Sequence, residues 1–206
     1  MRILAIGVFG FGGLAFLPAA EDLFPLVFDF RFRAGATPGL LYSDGANAGS
    51  HDSLFGYTWG AQGTIRYRLT PRFGVMGLLG FQVNGHYGSH GGPEHLDTHY
   101  VAGGGELGLG VFWQYRPHVH IEFLPSYQLA KGKVTVEDDN GRNTGDNGPY
   151  QAWGLSLGTF HTAPNGLQTG LMLGWYDWSG DSKLNGTTIR LRGAGPQLTA
   201  SLGYSF

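Results

Sequence analysis

The fold is decided by one alternating stretch of sequence, LVFDFRFR at residues 26–33. Apolar side chains occupy every second position, Leu26, Phe28, Phe30 and Phe32, and most positions between them are charged. A period of two is that of a β-strand whose two faces meet different surroundings. The stretch therefore predicts a strand with one apolar and one polar face.

The same period returns in seven further segments, so that the chain carries eight predicted strands. No stretch has the helical spacing of apolar residues, and each of the 37 glycines would weaken a helix by up to about 1 kcal/mol. The expected class is all-β. The further segments lie at residues 57–68, 73–87, 101–115, 119–129, 153–161, 167–178 and 189–206.

The connections between these segments alternate in length. Three are short and contain proline, at residues 70–72, 116–118 and 163–166. Four are long and polar, at residues 37–53, 88–98, 132–149 and 179–188. Short turns at one end and long loops at the other predict an eight-stranded antiparallel up-and-down barrel whose ends face different compartments.

Composition excludes several classes of function. The chain has 206 residues and a formal charge of −2, from 13 basic and 15 acidic residues. It therefore lacks the basic surface on which nucleic-acid binding depends, and we expect no nucleic-acid partner. A chain without cysteine cannot carry a disulfide framework.

The polar face of the strands is poor in charge and rich in glycine and serine, and the three lysines, at 131, 133 and 183, fall in or beside the long stretches. Small residues suit the inside of a narrow barrel, and large apolar ones suit lipid. We therefore expect a transmembrane barrel with two aromatic girdles. The long-loop girdle would contain Tyr57, Trp59, Tyr87, Tyr127, Trp153, Trp175 and Trp178, and the short-turn girdle Tyr67, Trp113, Tyr115 and Tyr204.

The amino end has the pattern of an export signal. Arg2 precedes an uncharged run at residues 3–17 rich in Leu, Phe and Gly, and small residues follow at 19–20. The run is too short for a membrane-spanning helix, which needs about 20 residues. We expect a signal peptide at residues 1–20 and one barrel domain at residues 21–206.

The carboxyl end is apolar at 198, 200, 202, 204 and 206 and closes on Phe206. Together with eight strands and alternating connections, this ending resembles the small eight-stranded bacterial outer-membrane β-barrels, the group that includes the transmembrane domain of outer-membrane protein A. The resemblance implies a location in the bacterial outer membrane, contact with its lipid and lipopolysaccharide, and recognition of Phe206 by the barrel assembly machinery. It implies no activity.

Several charged side chains fall on the predicted inward face. Charges inside a narrow lumen must be paired or wetted, and they could form either a solute-selective constriction or a salt-bridged plug. We favour the plug, because eight strands enclose little more than their own side chains. Strand height predicts that Arg31 or Arg33 pairs with Glu106. The full set is Asp29, Arg31, Arg33, Arg66, Arg68, Glu106, His120 and Glu122.

No catalytic residue, metal site or cofactor is expected. Histidines at 86, 90, 95 and 99 match no zinc spacing, and His51-Asp52-Ser53 cannot chain the hydrogen bonds of a triad. We expect a non-enzymatic outer-membrane barrel whose loops bind an extracellular ligand, as in adhesion, or stabilise the envelope. The alternatives are a narrow channel for small solutes and a lipid A-modifying enzyme.

Three prolines fit the strands badly, Pro25, Pro125 and Pro196, since each removes a ladder hydrogen bond. The last segment also changes parity, because Ile189 and Leu191 are apolar at odd positions whereas residues 198–206 are apolar at even ones. A bulge at residues 193–196 would account for the change.

Overall fold

The computed structural model describes residues 25–37, 40–44, 53–90, 96–138 and 141–206. In this part of the chain no helix is long and apolar enough to cross a membrane. All of its regular elements are strands, as the period of two predicts. They are β1 Leu26–Thr37, β2 Leu40–Asp44, β3 Ser53–Arg68, β4 Phe73–His90, β5 Leu96–Arg116, β6 Val119–Asp138, β7 Gly141–Thr144, β8 Gly148–Thr162, β9 Leu167–Leu184 and β10 Thr187–Ser205.

The strands form a closed antiparallel ring. Its order is β1, β3, β4, β5, β6, β8, β9 and β10, and β10 pairs with β1 to close it. β2 continues β1 along β10, because Ala36 lies opposite Leu198 and Leu40 lies opposite Ala194, an equal advance on both strands. β7 continues β8 along β6 in a similar way, because Thr144 lies opposite Thr135 and Gly148 lies opposite Gly132, with one extra residue on the β7–β8 side. The predicted eight-stranded up-and-down barrel is confirmed.

The two faces of the barrel wall are inverted relative to those of a soluble protein. Outward side chains are large and apolar, and Leu109 and Leu79 expose 78% and 67% of their surface. Inward side chains such as Arg31 and Glu122 are buried. An apolar surface of this extent is stable against hydrocarbon rather than water. The barrel is therefore transmembrane, with an outer face that includes Phe28, Phe30, Phe32, Ile65, Phe81, Leu107, Phe123, Leu155, Leu157, Leu171, Leu173, Leu198 and Leu202.

All but one of the residues predicted for the two girdles point outward, at two heights on the wall. One assignment was wrong: Trp178 is 4% exposed and points into the barrel, because even-numbered residues of β9 face inward. Trp175, three residues earlier, faces outward. The girdle on the long-loop side contains Tyr57, Trp59, Tyr87, Tyr127, Trp153 and Trp175, and the other contains Tyr67, Trp113, Tyr115 and Tyr204.

The two ends of the barrel differ in how their strands are joined. At one, the turn end, residues 69–72, 117–118 and 163–166 connect the strands. At the opposite, loop end, the strands extend past the girdle. The long loops predicted at 132–149 and 179–188 were wrong, since β6 and β7 form a hairpin and β9 and β10 meet at Asn185-Gly186. Both turn residues have positive φ, 50° and 81°, which suits a two-residue hairpin. Above the girdle the outside of the barrel wall faces water. Polar side chains can therefore point outward there while the strands continue.

The bulge predicted at residues 193–196 is also wrong. β9 and β10 keep one register from Thr187 to Tyr204. Ile189 and Leu191 are apolar at odd positions because those positions face inward, and above the girdle the inside of the barrel is apolar. Pro196 faces the interval between β1 and β2, where the ladder to β10 is interrupted. The expected signal peptide lies outside the described residues.

Candidate functional site

The half of the lumen near the turn end holds an ion network between β1 and β6, which lie on opposite sides of the ring. Arg31 donates two hydrogen bonds to the Glu122 carboxylate, from Nη1 to Oε2 at 2.7 Å and from Nη2 to Oε1 at 2.6 Å. Arg31 Nη2 also donates to Asp29 Oδ2 at 3.1 Å. All three side chains are completely buried. The network therefore ties two opposite walls together out of contact with water.

The carboxylate of Asp29 joins a third strand to this network. Arg66 of β3 donates to both of its oxygens, at 2.8 and 2.9 Å, and the Thr64 hydroxyl donates at 2.8 Å. His120 Nε2 lies 2.9 Å from Glu122 Oε1. Two buried carboxylates thus face two guanidinium groups, and the set is neutral when His120 is uncharged. Such pairing is the condition under which charges are tolerated away from water.

Aromatic and apolar side chains fill the space beside the ion network. The Arg31 guanidinium lies 4.1 Å from the centre of the Phe160 ring, a cation–π distance. His120 stacks on the same ring, with 5.3 Å between centroids. Ions and rings together close this half of the lumen. The apolar cluster contains Met76, Leu78, Phe112, Leu124, Phe160 and Met172.

A second ion pair lies at mid-height. Arg33 donates to Glu106 Oε2 and to the side-chain oxygen of Gln82. Both partners of the ion pair are almost completely buried. The space beside them is small, a cavity of about 20 Å³, which has room for about one water molecule. No solute larger than water fits there.

A layer of amides and hydroxyls crosses the lumen next to this pair. Gln82 donates to Asn84, and Asn84 donates to Gln128, both at 2.6 Å. The Tyr176 hydroxyl donates to the same Gln128 oxygen at 3.4 Å, and Asn84 donates to the Tyr150 hydroxyl at 3.3 Å. The layer connects β4, β6, β8 and β9. It satisfies polar groups across the lumen instead of leaving them to water.

Stacked rings close the lumen toward the loop end. Trp178 stacks on Tyr100 and Tyr150, with 5.5 and 5.7 Å between ring centroids. His86 stacks on Trp178 at 4.2 Å. We call this group the aromatic layer, together with the apolar residues around it. Its buried members besides His86 are Tyr100, Ala102, Val134, Tyr150, Ala152, Tyr176, Trp178 and Leu191.

All eight residues predicted to lie in the lumen are on the inward face of the barrel. Arg68 lies at the end of β3, half-buried on the inward face below Arg66. The sequence interpretation missed the aromatic layer, although the parity of Ile189 and Leu191 was its signal. It also left out Gln128, whose even position on β6 marks it as inward. The other seven predicted residues take part in the ion pairs described above: Asp29, Arg31, Arg33, Arg66, Glu106, His120 and Glu122.

Two of the four histidines considered for a metal lie on opposite faces of the wall, since His86 points inward and His99 outward. His95 and the side chain of His90 lie outside the part of the chain that the structure describes. Within the described ranges, no group of three or more His, Asp or Glu side chains is close enough to hold a metal ion. Of the possible triad, His51 and Asp52 also lie outside the described residues.

Comparison with known proteins gives similar folds and no sequence family. No family model matches the chain, and no curated protein matches it. Similar solved structures include the outer membrane protease OmpT from Escherichia coli, with 13% identity and a TM-score of 0.49 over 94% of this chain and 99% of that chain. The outer membrane protein OprG from Pseudomonas aeruginosa has 11% identity and a TM-score of 0.46 over 88% and 95%. Ail, the attachment invasion locus protein of Yersinia pestis, has 14% identity and a TM-score of 0.37 over 86% and 98%.

With TM-scores below 0.5 these likenesses carry no argument, and the fold follows from this chain's own strands. The strand pairing closes a ring of eight, and the apolar surface of that ring faces outward. The chain is an eight-stranded antiparallel transmembrane β-barrel that resembles small bacterial outer-membrane barrels in architecture, with no single member identified by sequence.

Proposed function

We propose that the protein is a non-enzymatic barrel of the bacterial outer membrane, sealed to solutes, whose loop end works at the cell surface in adhesion to an extracellular ligand or in stabilising the envelope. The observation that carries this proposal is the filled lumen. Ion pairs, amides and stacked rings follow one another along the barrel axis. A channel would need a continuous water path through these layers.

Conductance in planar lipid bilayers tests the seal. We expect the refolded wild-type protein to leave the bilayer at its bare conductance, under conditions in which a porin inserted as a control gives clear steps. Reproducible steps that scale with the amount of wild-type protein would refute the sealed lumen and favour the channel.

We infer the orientation of the barrel in the membrane from its two ends, with the turn end in the periplasm. The carboxyl-terminal Phe206 lies at the turn end, in the seam between β10 and β1, where its N–H donates to the Phe28 carbonyl at 2.8 Å. Phe206 is 64% exposed, which suits recognition by the assembly machinery from the periplasm. The loop end then faces the cell exterior. This orientation requires that the expected export signal delivers the chain to the outer membrane.

Cysteine labelling tests the orientation, because the natural chain has no cysteine. We compare Thr187→Cys, just after the β9–β10 turn, with Thr70→Cys in a turn at the other end. Both positions are exposed. A membrane-impermeant maleimide should label the first in intact cells and the second only after the outer membrane is permeabilised. The reverse result would invert the barrel.

The enzymatic alternative has a separate test. A lipid A-modifying enzyme would change the acyl chains of lipid A when the protein is overproduced. We expect the mass spectrum of lipid A to be the same with and without overproduction. A new acylated or deacylated species would overturn the non-enzymatic proposal.

A further inference from the structure

A histidine takes part in the stacked rings that close the loop end. His86 lies face to face with Trp178, with 4.2 Å between ring centroids and 18° between ring planes, and it is 5% exposed. Tyr100 lies opposite His86 on β5 and stacks on the same indole at 5.5 Å. His86 is the only base among the members of the aromatic layer. The packing of this layer therefore includes one group of the kind that takes up a proton near neutral pH.

The surroundings of His86 suit the neutral imidazole. Its Nε2 is buried and has no hydrogen-bond partner among the described residues. An imidazolium donates from both ring nitrogens and needs an acceptor for each. Trp178 offers a cation–π contact over one face of the imidazole, but this contact gives the Nε2–H at the ring edge no acceptor. A charge on His86 is therefore strongly disfavoured while the layer is closed.

No acidic side chain of the described inner wall faces His86 at this height. Tyrosine hydroxyl groups, which do face it, are neutral at and below neutral pH. The closest inward ions along the barrel axis are Arg33 and Glu106, which pair with each other beyond the amide layer. The strands packed against His86 present Thr58 from β3, Tyr100 from β5, Val134 from β6, Tyr150 from β8, Trp178 from β9 and Leu191 from β10.

The charged groups on the outside of these strands are separated from the layer by the barrel wall. His99 of β5 points outward and adds positive charge when it is protonated. Asp97 and Glu137 lie outward and opposite each other, beyond His99 toward the loop end. Asp181 of β9 is outward and paired with Arg190. None of these carboxylates is in a position to receive a proton donated from inside the layer.

The strand ladder is weakest at the height of His86. Thr37 and Gly56 form the last pair between β1 and β3, and Gly56 lies opposite His86 on β4. Beyond this row β2 pairs with β10 alone among the described strands. The register between β3 and β4 also shifts between Ser53 and Phe55. Fewer ladder hydrogen bonds hold this corner than hold the middle of the barrel, so local opening costs less here.

We propose that His86 is an acid-sensitive switch of the loop end. Its protonation breaks the stack on Trp178 and opens the aromatic layer at the corner between β3 and β4. The half of the lumen near the turn end stays closed, because its buried histidine, His120, lies 2.9 Å from the Glu122 carboxylate, which can accept its proton. The switch therefore changes the surface that the loop end presents without opening a channel. It goes beyond the proposed function and depends neither on that function nor on the orientation.

Hydrogen exchange of backbone amides tests the switch in the purified barrel, refolded in a neutral detergent, between pH 7.5 and pH 5. The ratio of the observed to the intrinsic exchange rate gives the equilibrium constant for opening at each pH. In the open state the histidine has an ordinary pKa of about 6.5. Because only the open state binds the proton, the opening constant rises about tenfold for each pH unit below that value. We expect a rise of about 30-fold by pH 5 for amides at residues 84–88 and 98–102, and none for those at residues 28–32 beside the ion network.

His86→Phe keeps a ring against Trp178 and removes the titratable nitrogen, so its opening constant should be the same at both pH values. If this variant does not fold, His86→Gln takes its place with the same expectation. His118→Phe is the matched control, since His118 is exposed at the turn end, and it should follow wild type. Equal pH dependence in wild type and in the His86 variant would overturn the switch, and so would a wild type without pH dependence. An equal rise at residues 28–32 would show that acid unfolds the whole barrel and would overturn local opening.

Discussion

Replacing Glu122 by glutamine should strongly destabilise the barrel. The carboxylate of Glu122 accepts two hydrogen bonds from Arg31 and approaches His120. An amide keeps the shape of the side chain and removes its charge. Arg31 is then left with Asp29, which already binds Arg66 through both oxygens. Breaking one partner of a buried ion pair typically costs about 3 to 5 kcal/mol, because the remaining charge has no compensation.

The assay is reversible unfolding in urea of protein refolded into lipid vesicles, followed by tryptophan fluorescence. Glu137→Gln is the matched control, because Glu137 lies on the same strand but outward and exposed, and such a surface change alters the free energy of unfolding by about 0.5 kcal/mol or less. If Glu122→Gln does not fold, Glu122→Leu with Arg31→Met should restore folding, since apolar side chains can replace a buried ion pair. Equal free energies for Glu122→Gln and Glu137→Gln would refute the assignment of Glu122 to a buried pair.

Three further outcomes follow from the packing of the lumen. Glu106→Gln leaves a buried guanidinium unpaired at mid-height and should lower the free energy of unfolding by about 3 to 5 kcal/mol, measured in the same vesicles. A Cβ at Gly60 would meet a carbonyl oxygen of β4, whereas one at Gly63 has no neighbour nearer than 3.9 Å; Gly60→Ala should therefore cost about 1 to 3 kcal/mol, and Gly63→Ala should leave the midpoint unchanged. Lipids brominated on their acyl chains should quench the fluorescence of Trp153 and not that of Trp178, as measured on variants that keep one of these tryptophans; equal quenching would contradict the inward position of Trp178.

Much of the fold was predictable because contact with lipid requires apolar side chains on the outward face, which makes the alternation of apolar and polar residues along each strand strong. Phe28, Phe30 and Phe32 stand out against the charges between them, and a period of two then assigns both faces. Trp178 was assigned to the outer girdle because the period of two was not applied to it; its even position on β9 makes it inward. Outside the membrane the outward face is polar too, so residues 179–184 read as a loop although they continue β9.

The lumen charges were predictable as a set and less so as pairs. Which residues face inward depends on parity alone, whereas which ones meet depends on the stagger of strands around the ring. The predicted heights of these residues in the barrel indicated that Arg31 or Arg33 pairs with Glu106. In the structure Glu106 pairs with Arg33, and Arg31 pairs with Glu122. The contact between Arg31 and Glu122 crosses the full width of the barrel, so the pairing of neighbouring strands does not predict it.

At the loop-side girdle the apolar side chains change from the outward to the inward face of the strands. This change fixes the depth of the barrel in the membrane. If the barrel sank by two residues, Asp177 and Ser179 would enter hydrocarbon. If it rose by two residues, Trp153 and Trp175 would leave the interface for water. Each displacement is about 5 Å along a tilted strand, and neither is compensated elsewhere in the wall. The protein has one depth at which its apolar band lies in hydrocarbon and the polar part of its outer wall lies in water. A bilayer that is too thick or too thin must therefore deform around it.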